Sequence, residues 1–263
     1  MGTRQPQAAE LWDQQIDVAR ACRVLAHRGL VEDVLGHISL RVSPGRALLR
    51  CRGPHEHGLR FTVPRDIRLV DFDAGIVDGG DDLGYSPPNE APIHLEILRR
   101  HEAVGSVVHA HPPAVVVASL ANVPLVPLFG SYDIPAARLA ADGIPVYQRS
   151  VLVRTARTAA EMLGAMGDRP VCVLKGHGLV SIGESIGEAV LRALAVDRLS
   201  RIALRVTRAS GSAPEPIPEH DLAELPDLGP GLNEQSAWRF HLASLNADGW
   251  DLSPADTTNR GQP

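Results

Sequence analysis

Apolar residues near the start of the chain recur at helical spacing: Leu11, Val18, Cys22 and Leu25 share one face, and Gly29 offers a C-cap. This predicts an amphipathic helix over residues 9–28. The pattern then changes to short alternating runs bounded by Gly and Pro, at residues 37–42, 47–51, 69–72 and 75–78, which read as strands joined by tight turns. Asn89 is placed to cap a helix running to about Arg100, with Pro92 tolerated in its first turn. Residues 106–109 form a β-branched run short enough for a buried strand, and Pro112 with Pro113 opens a helix to about Leu120. Residues 144–147 predict another strand, 155–166 another helix, and 171–174 a buried strand ending in the turn Gly176-His177-Gly178. From Glu184 onward, Leu191, Ala195, Leu199, Ile202 and Val206 keep one apolar stripe, so a long helix follows. Residues 209–231, rich in Pro, Gly and acidic side chains, read as a linker or surface wrap. Trp238, Phe240 and Leu242 dock a short final helix, and the last dozen residues read as a loose tail.

Composition narrows the class. A chain of 263 residues, 44% hydrophobic and 22% charged, suits one large globular domain. Aromatic residues make up only 4%, so the core must be built from aliphatic side chains. A net charge of −5 offers no basic footprint for nucleic acid. The most apolar segment, 107–129, is broken by Pro112, Pro113, Pro124 and Pro127, which argues against a membrane span, and the polar opening stretch lacks a signal-peptide core. Cys22, Cys51 and Cys172 have no CxxC spacing and make no disulfide framework, so a reducing cytoplasm is expected.

Candidate chemistry gathers where elements end. His109 and His111 flank Ala110 at a strand terminus, and residues i and i+2 of a strand face the same side, so both imidazoles can reach one ion. His177, between two glycines after another strand, is the natural third ligand, and Glu90 stands at a helix start. Spacing alone leaves two readings open: a ligand set, or histidines at strand ends with structural or solvent-facing roles.

An ordered series of motifs goes further. Residues 35–41 (Leu-Gly-His-Ile-Ser-Leu-Arg), Asn89-Glu90 with His94, His109-Ala110-His111-Pro112, and Lys175-Gly176-His177-Gly178 resemble the class II aldolase/adducin family over roughly residues 10–210. The nineteen-residue step from Glu90 to His109 agrees with that family's pattern. The resemblance implies a three-layer α/β/α sandwich around a mostly antiparallel sheet, in a catalytic domain spanning 1–210. Residues 211–263 would then be an extension packed on that domain or on a neighbouring subunit. It further implies a homotetramer and one divalent ion per subunit on His109, His111 and His177, zinc first, with manganese or iron as alternatives. Glu90 matches the acidic residue that acts as base or as a fourth ligand.

Departures from the sugar-phosphate members bear on substrate. Gly36-His37 replaces a Gly-Asn, Val63-Pro64-Arg65-Asp66 replaces a small hydroxyl-bearing loop, and Pro88-Asn89 replaces a Ser-Ser pair, so phosphate-cradling groups are missing at three places. Arg50, Arg52 and Arg60 instead supply guanidinium groups suited to carboxylates. These features resemble the branch that decarboxylates hydroxylated aromatic dicarboxylates such as dihydroxyphthalate. The implied reaction is metal-assisted carbon–carbon cleavage through an enolate-like species, with Glu90 or His37 moving a proton, Tyr132 assisting, and Asn89 or Arg52 positioning a carboxylate. His94, one helical turn after Glu90, either bonds to a ligand or packs on the sheet. Alternatives are an aldolase on a non-phosphorylated carbonyl compound, a non-haem iron oxygenase on an aromatic 2-oxo acid, and a non-catalytic interaction domain. The last is disfavoured by the intact histidine set.

Overall fold

The computed structural model describes residues 8–73 and 75–258; the polar opening stretch and the final five positions of the expected tail lie outside the described residues. In chain order the elements are α1 (Ala8–His27), β1 (His37–Ser43), β2 (Arg46–Arg50), β3 (Ile67–Asp71), α2 (Ala91–Arg100), β4 (Ser106–Ala110), α3 (Pro113–Leu120) and α4 (Ile134–Leu139). They continue with β5 (Val146–Tyr147), α5 (Ala156–Met166), β6 (Val171–Leu174), β7 (Gly178–Gly183), α6 (Ile186–Ser210), α7 (Glu219–Glu224), α8 (Ala237–Ala247) and α9 (Pro254–Thr258).

Among the described residues the strands form one seven-stranded sheet in the order β3-β2-β1-β4-β7-β6-β5. Every pairing is antiparallel except β5 with β6. Side-chain alternation divides each strand between two cores. Ile38, Leu48, Ile67, Val108, Val171, Val173 and Leu179 face a layer containing α1, α3 and α6. Leu49, Val70, Val107, Cys172, Leu174 and Val180 face a layer containing α2 and α5. Burial on both faces explains why the central strands read as continuous apolar runs. The fold is therefore the expected α/β sandwich.

Two stretches differ from the sequence reading. Residues 75–78 form no ladder: Asp71 accepts the backbone N–H groups of Asp73 and Gly75, which closes a turn, and only a single bridge joins Val70 to Ile76. Conversely, β7 follows the Gly-His-Gly turn directly, where no strand was expected. The helix after Glu90 takes that residue, not Asn89, as its N-cap, because Ala91 already donates its N–H to Pro88.

The C-terminal extension is more ordered than expected. Within the 209–231 stretch, α7 forms a short helix. Beyond it, Trp238 packs against Gly187, and α8 sends His241 and Leu245 inward. Residues 250–257 are no loose tail. Arg20 pairs with Asp251 at 2.9 Å, Arg23 donates to the carbonyls of Trp250 and Asp251, and Trp12 Nε1 donates to the carbonyl of Thr257 at 3.0 Å. None of the described helices is long and apolar enough to cross a membrane.

Candidate metal centre

Three adjacent structural devices converge on one point. The β1–β4 register sets His37 directly opposite His109. His111 lies just past β4, fixed by its N–H bonding to the carbonyl of Leu30 at 3.0 Å. His177 sits in the β6–β7 turn, where Gly176 has φ +66° and the His177 N–H closes back on Leu174 at 3.0 Å. Gly178 permits the approach of that turn to β4: a Cβ there would lie 2.2 Å from the carbonyl oxygen of Ala110. Glu90, at the start of α2, reaches in from a fourth segment.

The result is a cluster in which one ligand-type atom from each of Glu90, His109, His111 and His177 lies within 4.8 Å of all the others. Glu90 Oε2 is 3.3 Å from His109 Nε2 and 3.4 Å from His177 Nε2, and His111 Nε2 is 2.9 Å from His109 Nε2. Donor atoms held about 2.0–2.1 Å from one ion at tetrahedral angles are about 3.3–3.4 Å apart. The Glu90 approaches match that spacing, and the His109–His111 contact is a narrower bite. His109 Nδ1 donates to the carbonyl of Leu179 at 2.9 Å, which leaves its Nε2 lone pair facing the cluster. Lone pairs this close repel unless a proton or a cation lies between them. The donor set fits a divalent ion.

Electrostatics agree. Burial, then the neighbouring His109 and His177, push His111 down to about 3. Burial would raise the Glu90 carboxyl, but the His109 and His177 nitrogens beside it hold it well below the usual carboxylate range. Neutral imidazole and ionised carboxylate are the states a cation requires.

Behind this cluster lies a second layer. His94 is fully buried; its Nε2 is 2.7 Å from His37 Nδ1 and its Nδ1 is 2.8 Å from Ser39 Oγ. Burial, then His109, hold His94 down to about 3, and burial, then His94 and His109, hold His37 well below its ordinary value. Glu90 Oε1 accepts the backbone N–H of Val153 at 2.9 Å. Sequence spacing gave no signal for Val153; Ser39 was within reach, since it shares a strand face with His37.

The remaining candidates lie apart from this contact network. Asn89 is exposed with no side-chain hydrogen bond among the described residues. The Arg52 backbone bridges to Ser86, while its guanidinium forms no ion pair with any described residue. Arg50 is committed to Glu56, and Arg60 stacks over Trp250 with its guanidinium carbon 4.0 Å from the ring centre. Tyr132 is 71% exposed and packs edge-on against Phe129, so it is no core aromatic. Lys175 bonds to Asn122 and Gln148. His241 is buried in α8, while Phe240 beside it is exposed.

Comparison with known proteins agrees with this geometry. The chain is 54% identical over 231 residues to a 3,4-dihydroxyphthalate decarboxylase of Arthrobacter keyseri, covering 88% of this chain and 93% of that one. A second 3,4-dihydroxyphthalate decarboxylase, of Terrabacter sp. strain DBF63, is 54% identical over 228 residues, covering 87% and 95%. An aldolase II superfamily protein from Pseudomonas syringae superposes with a TM-score of 0.76 at 20% identity over 95% of this chain and 96% of that one, which speaks to fold alone. The class II aldolase and adducin N-terminal domain matches residues 16–204, and the chain belongs to that family.

Proposed function

We propose that this chain is a metal-dependent lyase that decarboxylates 3,4-dihydroxyphthalate. The observation that carries this reading is the Glu90, His109, His111 and His177 cluster, in a chain 54% identical to a decarboxylase of that name. His109, His111 and His177 would hold the ion, zinc first by donor chemistry, with manganese or iron as alternatives. When bound, the ion supplies Lewis acidity that draws charge onto the oxygens of the substrate.

The chain's own groups account for the proton. Glu90 Oε1 is occupied by Val153, so Oε2, which faces His109 and His177, is the oxygen turned toward the site. As a carboxylate, it takes the phenolic proton from the hydroxyl next to the departing carboxylate, then returns it to the ring carbon as the C–C bond breaks. The bonding pair stays on that carbon, CO₂ leaves, and water restores the phenol on release. Arg52, with no ion pair among the described residues, and the exposed Asn89 hold the carboxylate that remains. Tyr132, being exposed, would act only where a neighbouring copy brings substrate to it.

Residues 1–210 form the catalytic domain in this reading, with 211–263 as its extension. The exposed Val117, Leu120 and Leu152 support a homotetramer that covers them, and three free cysteines support a cytoplasmic role in aromatic breakdown. The test is CO₂ release from 3,4-dihydroxyphthalate without oxygen, abolished by a chelator and restored by zinc. Turnover that consumes oxygen, or persists in metal-free protein, would overturn it.

A further inference from the structure

His37 has two ring nitrogens, and the fold uses one of them. Nδ1 is taken by His94, which is itself backed by Ser39. Nε2 has no hydrogen bond among the described residues and is not sealed from solvent. The line Ser39–His94–His37 leads from the sheet interior toward His109, whose ring centre is 5.0 Å from that of His37.

A buried hydrogen-bond chain has a direction, and counting donors fixes it. In one direction the Ser39 hydroxyl donates to His94 Nδ1, His94 Nε2–H donates to His37 Nδ1, and His37 carries its own proton on Nε2. In the other, every bond reverses and the Ser39 hydroxyl proton is left over. Among the described residues His94 Nδ1 is the one partner of Ser39 Oγ, and Ser39 is fully buried. The reversed chain therefore strands a desolvated donor, whereas the first strands nothing.

We propose that Ser39 and His94 are positioning residues that hold His37 as its Nε2–H tautomer, so that His37 acts as a neutral hydrogen-bond donor to a substrate oxygen. The choice of oxygen rests on the decarboxylase reading; the tautomer does not. A neutral imidazole N–H is too weak an acid to surrender its proton, so Glu90 alone moves the proton that reaches carbon. A fixed neutral donor stabilises developing oxyanion charge with no reorganisation.

The direct test is nitrogen-15 NMR of histidine-labelled, zinc-loaded full-length protein, with His37 assigned against His37→Gln. The expected spectrum shows a protonated Nε2 and an unprotonated Nδ1 on His37; a protonated Nδ1 overturns the proposal. His94→Gln can accept from Ser39 and donate to His37, and should keep kcat within about threefold. His94→Leu should lose about 10²-fold in kcat with KM and zinc content nearly unchanged. Equal losses in the two variants would also overturn it. If His94→Leu does not fold, Ser39→Ala replaces it: a mixture of His37 tautomers is expected, and an unchanged spectrum counts against the proposal. Wild-type protein with the expected spectrum but no CO₂ release would sink the substrate reading while upholding the tautomer.

Discussion

Val153 donates its backbone N–H to Glu90 Oε1 at 2.9 Å, across sixty-three positions of chain. The bond divides the carboxylate into an anchored oxygen and a working one, the latter 3.3 Å from His109 and 3.4 Å from His177. Glu90→Gln keeps the anchored acceptor but turns an amide N–H toward the imidazoles. Its expected effect is a fall in kcat of about 10²–10⁴-fold with the fold retained. Steady-state kinetics beside a thermal melt of the metal-free variant would check this; full activity would remove Glu90 from the proton path.

Gly178 tests the backbone approach. Adding a methyl group there meets the Ala110 carbonyl oxygen at 2.2 Å and His111 Cα at 3.1 Å. Gly178→Ala should push β7 away from β4, spreading His177 from His111. Zinc affinity is expected to fall by at least about 10-fold, as for displaced supporting groups. Titration with a competing chelator measures it.

Arg52 offers a fork that forms no ion pair among the described residues. Arg52→Lys keeps the charge and loses the planar pair of donors. For 3,4-dihydroxyphthalate we expect KM to rise about 10-fold with kcat held within about twofold, the loss of one good charge-assisted bond. A substrate lacking the second carboxylate, 2,3-dihydroxybenzoate, should be indifferent to the change.

His241 gives a pH dependence remote from the metal centre. Burial, then Arg28, Arg198 and His27, push it down to about 4, and its Nδ1 is buried without a partner among the described residues. An unfolded histidine titrates near about 6.5. Between these values the unfolded chain takes up a proton that the folded chain does not. The stability this group contributes is complete above pH 6.5 and falls as the pH drops towards 4. His241→Leu should therefore lose fewer degrees of Tm between pH 7 and pH 5 than the wild type, measured by scanning calorimetry.

Local chemistry made much of this molecule legible. The apolar run 171–174 is β6 as read, and Gly29, at φ +72°, ends α1 where its position suggested. The ends of β4 and β6 could be found because buried strands leave uninterrupted apolar runs. β7 was missed for a related reason: Leu179, Val180 and Ile182 lie between glycines, and burial on both sheet faces erased the alternation that marks a half-exposed strand. The His37–His94 contact joins residues 57 positions apart, and only the β1–α2 packing brings them together. In α8 the sides are reversed: Phe240, expected to dock the helix, is exposed, while His241 beside it is buried.

The clamp between α1 and residues 250–257 has a consequence for biosynthesis. Trp12 finds its partner 245 positions later, and Arg20 finds its own 231 positions later. While the polypeptide is still emerging from the ribosome, Arg23 can reach the Thr62 carbonyl early, but Trp12 and Arg20 wait for their partners until residues 251–257 have emerged. Contacts of such long range form slowly. That part of the clamp therefore closes late in synthesis, after the sheet beneath α1 is already available.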